Sequence, residues 1–441
     1  MKIHYQNDEV VSKSRVKRII KMFNGACKSL VNIVNMGSKS NQQDRILYNV
    51  VMSEDCEIPV LGGLPKDHKV GRKMRPLING NVGPLCNYAD LLSDILIPYK
   101  NEIQSQVKHG KACDSTEELL SEFEKFNKNV RCVKRDQQMN KFVASLDIDS
   151  LYPSITCDDM CELLRNMILK CKIKVTHLNV EEMGIFLRKV LSTAELVNKD
   201  LIDYLPRRKK NKDVKNKKNI NELWDDPIKQ QTDAKLKQMW TETVVTGVKL
   251  VMSNHVYKFD NELRIQTDKG SIGLKLTGVL AEIKMLIWCE LLEVKLTNLG
   301  IGNDMNERFV DDITLIPTVT EIGLKFDGTI LAFSEEQKVI DSSIPSDKRT
   351  MNLIKTIADS IDENITVSYD IPSNYTDNKV PILDLKVGMT ENFEIEYAFY
   401  RKPIANKHTV MKTSAMDKHQ KMKALSDSGD YTIPVNIFLK M

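Results

Sequence analysis

Residues 145–159, SLDIDSLYPSITCDD, pose the deciding question. Asp147 stands inside an apolar run, Val143 to Ile148, that reads as a strand. A carboxylate is almost never fully buried without a partner. Either the strand reaches the surface there or a cation answers the charge. Thr156 to Asp159 then signals a helix start, and Met160, Leu163, Leu164, Met167 and Ile168 recur at helical spacing. Asp147 is therefore expected late in a strand, just ahead of a turn and a helix.

A second acidic site lies downstream in RFVDDITLIP, residues 308–317. Phe309 and Val310 lead into Asp311-Asp312, and Ile313, Leu315 and Ile316 lead out. The pattern predicts strand, a two-residue acidic turn at Asp311-Asp312, and strand. Adjacent ionised carboxylates repel unless a cation sits among them. Asp147 and the Asp311-Asp312 pair together offer hard oxygen ligands of the kind Mg²⁺ accepts alongside waters and substrate phosphates. Two such ions, roughly 3.5–4 Å apart, serve in-line phosphoryl transfer.

The surroundings narrow the class. At 441 residues, 41% hydrophobic and 28% charged, the chain is an ordinary folded protein with room for two or three domain-sized units. Its nine cysteines form no CxxC pair, which argues for reduced thiols and against a zinc site or a disulfide scaffold. The N-terminus lacks the apolar core of a signal peptide. The most hydrophobic helix candidate, GVLAEIKMLIWCELLEVKL, carries Glu282, Lys284, Glu290, Glu293 and Lys295, which excludes a membrane span. An intracellular protein is expected, with nucleus and cytoplasm left open.

Residues 1–59 read as helical and basic. From Val60 the chain is dense in Gly, Pro and cations, and CNYADLLSDILIPYKNEIQSQV then reads as an amphipathic helix. Another helix is expected at the capping box formed by Ser115 and Glu118. PRRKKNKDVKNKKN, residues 206–219, reads as a solvated linker, with a nuclear-import signal or a nucleic-acid contact as alternatives. A helix is predicted over 346–363, followed by strands in NITVSYDI, VPILDLKVGM and FEIEYAFYRKP.

Asp147 with IDSLYPSI, followed far downstream by FVDDI, resembles the first and third palm motifs of reverse transcriptases. GSIGLKLTGVLAEIKM between them is similar to the second palm motif, although Thr277-Gly278 stands where that family carries Ser-Pro. GLPKDHKVGRKMRPLINGN resembles the finger segment that grips incoming nucleotide. VPILDLKVGM and FYRKPIANKHTVMKTSAM resemble the post-palm sequence of Penelope-like retroelements. The five blocks stand in the family's order over residues 60 to about 415.

The resemblance implies an α+β right-hand polymerase, with an antiparallel palm sheet packed on helices, a finger extension and a partial thumb. It divides the chain into a helical region (1–59), fingers (60–140), a palm with a basic insertion (141–403) and the start of a thumb (404–441). The activity implied is primer extension with dNTPs on an RNA template, from a DNA or RNA primer, with two Mg²⁺ ions that Mn²⁺ can replace. No membrane partner is expected.

Asp147 and Asp311 are then the principal metal ligands, and Asp312 the neighbouring carboxylate. Lys66 and Arg75, with Lys69 and Arg72, would neutralise the triphosphate. The flat ring of Tyr152 would exclude a 2′-hydroxyl. Gly270, Gly273 and Phe309 are assigned to the template–primer, the glycines because they permit close backbone approach.

A family B DNA polymerase shares the first motif, but its third is Asp-Thr-Asp-Ser and not the Phe309-Val310-Asp311-Asp312 seen here. The other alternative is a truncated, catalytically inactive RNA-binding remnant of a retroelement. No ribonuclease H or endonuclease motif is read.

Overall fold

The computed structural model describes residues 8–34, 57–65, 74–79, 83–113, 115–132, 140–173, 178–191, 233–270, 273–319, 324–326, 331–333 and 343–400. Along the chain come β1 (Glu9–Val10), α1 (Lys13–Ile33), the hairpin β2 (Leu61–Pro65) and β3 (Met74–Ile78), α2 (Cys86–Gln106), β4 (Lys111–Ala112) and α3 (Thr116–Cys132). Next are β5 (Ala144–Ile148), the short α4 (Leu151–Ser154), α5 (Cys157–Lys170), α6 (Val180–Leu191) and α7 (Asp233–Met252). The hairpin β6 (His255–Phe259) and β7 (Glu262–Gln266) leads to α8 (Lys275–Asn298), β8 (Asn303–Phe309) and β9 (Asp312–Pro317). A ribbon of β10 (Leu324–Phe326) and β11 (Leu331–Phe333), α9 (Ser346–Asp359), β12 (Val367–Asp370), β13 (Val380–Ile382), β14 (Leu385–Met389) and β15 (Ile395–Phe399) complete it.

The architecture is α+β, as expected. The central sheet has the order β12-β5-β9-β8-β4. Its pairings are antiparallel except for the two-residue β4 at the edge, which runs parallel to β8. Burial alternates along β5: Ala144, Leu146 and Ile148 face one side, Ser145 and Asp147 the other. Leu146 pairs with Ile313 and Ala144 with Leu315, and this face belongs to the main core with α8, α5 and α9. At its lower end the opposite face is apolar too. There Val143 and Ile316 join Leu119 and Phe123 of α3 and Val380, Leu385 and Ile395 of β13–β15 in a second core.

Local signals explain several elements. Ser115 Oγ accepts from the Glu118 amide at 3.2 Å, so the cap of α3 forms where the sequence places it. On α5, Met160, Leu164, Met167 and Ile168 are buried at the predicted spacing. Its first turn is held differently from a capping box: the Thr156 hydroxyl donates to Asp159 Oδ2 at 2.5 Å and caps no amide itself, and the Cys157 amide donates to Asp268 Oδ1 at 3.3 Å. The central α8 is buried on nearly every side. Three of its charges are answered by neighbours: Glu282 by Lys100 at 2.5 Å, Lys284 by Asp362 at 2.8 Å, and Glu293 by Asn303 at 2.9 Å. No helix among the described residues is long and apolar enough to cross a membrane. The basic stretch 206–219 and the region 404–441 lie outside the described residues.

Candidate active site

Asp147 and Asp312 are Cα partners in the antiparallel ladder of β5 and β9. Side chains directly opposite one another share a face, with Cβ atoms about 4.5–5.5 Å apart. Both residues are half-buried. Below them come Ser145 opposite Thr314, and only then the apolar Val143 and Ile316 under α3 and β13–β15. The same sheet face is thus dry where a second layer covers it and acidic at its open end. Asp147, the penultimate residue of its strand, lies beyond the part of this face that α3 and β13–β15 cover and beside a second carboxylate.

The hairpin carrying the second site differs by one residue from the predicted acidic turn. Phe309 and Asp312 are the closing pair, so the two-residue turn is Val310-Asp311 and Asp312 is the first residue of β9. Val310 takes a left-handed φ of 56°, uncommon for a β-branched residue. Asp311 accepts at its carbonyl from the Ile148 amide at 3.2 Å, which ties the turn to the residue after Asp147. The three aspartates therefore converge on one corner, with Asp312 opposite Asp147 and Asp311 in the adjoining turn. Asp149 lies past the strand end, exposed, its amide donating to the Thr366 carbonyl at 2.9 Å.

The segment after Asp147 is held from two sides. The Gly270 amide donates to the Ile155 carbonyl at 3.0 Å, and the Cys157 amide donates to the Asp268 carbonyl at 2.9 Å. A Cβ on Gly270 would lie 2.6 Å from the Tyr152 carbonyl oxygen, so the close approach requires glycine. From α8, Lys284, only 5% exposed, donates to the Ser154 carbonyl at 3.4 Å. Tyr152 itself is half-buried against the main core.

Gly273 is exposed, at φ 118°. Phe309 borders a small concavity beside Asp312, which Thr314 and Leu383 also line. Arg75 lies on β3 opposite Leu64, while Lys66, Lys69 and Arg72 lie outside the described residues.

Sequence reasoning missed Arg308 and Lys284 as parts of this corner. The signal for Arg308 was its parity with buried positions: it pairs with Ile313, on the core face.

Among the described residues no three His, Cys, Asp or Glu side chains gather closely enough to hold a metal by themselves. The facing pair Asp147 and Asp312 fits a smaller demand. Mg²⁺ commonly takes one or two carboxylates and fills its octahedron with waters and substrate phosphates.

No family model and no curated protein matches the chain. Solved structures do. Apo telomerase from Candida tropicalis is similar at 10% identity and TM-score 0.45, over 77% of this chain and 48% of that one. Telomerase from Candida albicans, in complex with a TWJ fragment of telomeric RNA, is similar at 10% identity and TM-score 0.43, over 78% and 46%. The RNA-dependent RNA polymerase of BmCPV in its quiescent state is similar at 12% identity and TM-score 0.36, over 85% and 26%. The match spans less than half the length of either telomerase chain.

Proposed function

We propose that this chain is a reverse transcriptase, an RNA-directed DNA polymerase of a Penelope-like retroelement that extends a primer 3′-hydroxyl with dNTPs. The observation that carries the reading is the cross-strand pairing of Asp147 with Asp312, two carboxylates from motifs remote in sequence brought opposite each other at an open sheet end. On this reading residues 60–140 are fingers and 141–403 palm.

The reaction joins the primer 3′-oxygen to the α-phosphorus of a dNTP and breaks the bond to pyrophosphate. Divalent ions, when bound, would lower the barrier by activating the hydroxyl and neutralising charge on the phosphates. Asp147 and Asp312, with Asp311 beside them, would hold Mg²⁺ and orient the reacting groups. Tyr152, fixed by the Gly270 and Lys284 contacts to its segment, would bear on the sugar. Lys66, Lys69, Arg72 and Arg75 would meet the triphosphate. Such catalysis is chiefly positioning and electrostatics.

Primer extension with Mg²⁺ and with Mn²⁺, on RNA and on DNA templates, tests the proposal. Metal-dependent extension on RNA is expected, and Asp147→Asn or Asp312→Asn should reduce it on the order of 10³-fold or more. Extension on DNA templates alone would point to a DNA-directed enzyme. RNA binding without extension by wild type or variants would point to the inactive binding remnant.

A further inference from the structure

Arg308 is the largest fully buried side chain among the described residues, at 1% exposure. It pairs with Ile313 on the core face, and its carbonyl accepts from the Cys113 amide at 2.7 Å. The guanidinium reaches forward along its own hairpin, where Nη1 donates to the Val310 carbonyl at 2.9 Å. Val310 is the left-handed residue of the turn that carries Asp311 and delivers Asp312. Among the described residues, Nε and Nη2 have no hydrogen-bond partner and no carboxylate forms an ion pair with this arginine.

A buried cation without a carboxylate partner is costly. A hydrophobic residue at position 308 would serve the core better, given Ile313 across the ladder and Cys289 of α8 near enough to feel the charge. Within the hairpin, the arginine does what a hydrophobe cannot: it holds the carbonyl of a strained two-residue turn.

We propose that Arg308 is a positioning residue for the acidic corner: it clamps the Val310-Asp311 turn and so holds Asp311 and Asp312 in place beside Asp147. The inference rests on the polymerase reading for its catalytic consequence, but its effect on cation binding stands apart from turnover. Arg308 touches no substrate and acts through the turn.

The test compares wild type with Arg308→Lys and Arg308→Met in the full chain. Thermal melting establishes that each variant folds. Mn²⁺ binding is read by electron paramagnetic resonance without nucleic acid, and kcat and KM for dNTP by primer extension. Arg308→Met should weaken Mn²⁺ binding on the order of tenfold, the worth of one charged hydrogen bond, and should lower kcat. KM and template–primer affinity should stay within about twofold. Arg308→Lys, which keeps the charge and a donor, should recover part of both losses. Amides 309–313 should exchange faster in Arg308→Met than in wild type.

Wild-type Mn²⁺ binding and kcat in Arg308→Met would overturn the proposal. So would equal losses in both variants that track their melting temperatures, since that marks a plain core residue. A wild type that binds Mn²⁺ but extends no primer would defeat the polymerase reading alone, and the Mn²⁺ comparison would still decide the role of Arg308. A wild type that binds no Mn²⁺ would overturn both.

Discussion

Asp147 on β5 and Asp312 on β9 stand directly opposite each other, two like charges in register on one face of the central sheet. Like charges so placed destabilise a ladder. Asp312→Asn is accordingly expected to raise the unfolding free energy in EDTA by roughly 0.5–1 kcal/mol. Saturating Mg²⁺ should stabilise wild type and not the variant, by the linkage of binding to folding. Denaturant unfolding with and without Mg²⁺ reads both effects. An equal Mg²⁺ response in the two proteins would contradict a cation site at this pair.

Gly270→Ala is expected to cost about 1–3 kcal/mol through overpacking. The added methyl meets the Tyr152 carbonyl oxygen at 2.6 Å and Thr277 Cγ2 at 2.9 Å. The nearer contact is backbone, so trimming the side chain should not help: Gly270→Ala/Thr277→Ala should be no more stable than Gly270→Ala. Rescue by Thr277→Ala would mean that the Tyr152 segment gives way easily.

Gly110, just ahead of β4, combines a left-handed φ of 69° with a Cβ position 2.1 Å from Cys289 Cβ. Its amide donates to the Asn306 carbonyl at 2.8 Å, so the loop cannot retreat without leaving β8. Gly110→Ala should lose about 2–5 kcal/mol, the left-handed penalty added to overpacking. Cys289→Ala leaves the offending Cβ in place and should not rescue it, whereas Cys289→Gly should recover part of the loss. Equilibrium unfolding of Gly110→Ala and the two double variants would show a different order if the strain lay elsewhere.

Burial holds the His255 imidazole down at about 4, against an ordinary 6.5. In the unfolded chain the ring takes up a proton near its ordinary value; in the folded chain it does not until about 4. Between these values the unfolded state binds more protons, so stability is full above 6.5 and falls as pH drops toward 4. From pH 7.5 to 5.5 this group alone should remove about 1.4 kcal/mol, a window above most carboxylate titration. His255→Gln should flatten that segment of the stability profile. An unchanged slope in the variant would assign it to other groups.

Template–primer binding should weaken steeply with salt. Neutralising several phosphates gives an affinity that falls as a power of salt concentration, by about 10³-fold or more between 50 and 200 mM for six or more contacts. Fluorescence anisotropy across a salt series measures the slope, and a flat response would argue against a nucleic-acid cleft.

Much was readable along the chain because it is local. The apolar run from Val143 to Ile148 located the strand around Asp147, helical spacing located α5, and the Ser115 cap located α3. The helix predicted over 346–363 forms as Ser346–Asp359, and VPILDLKVGM resolves into two strands about a turn at Leu383, φ 52°. That Asp147 and the later aspartates belong to one corner was also legible, from their shared setting of acid within apolar strand.

Which carboxylate faces which was not legible. RFVDDITLIP fits a turn at Asp311-Asp312 as well as one at Val310-Asp311, and a one-residue slip exchanges the two faces of the strand. The choice follows from remote packing: Ile313 and Leu315 must meet Leu146 and Ala144 over the main core, while Ile316 must reach α3 and β13–β15. Only that register carries Asp312 to the side of Asp147 and turns Arg308 inward. Residue pattern along a short segment specified the elements and their chemistry. Pairing register, the burial of one arginine and the close contact of Gly110 with Cys289 came from chain segments too distant for any local pattern to sense.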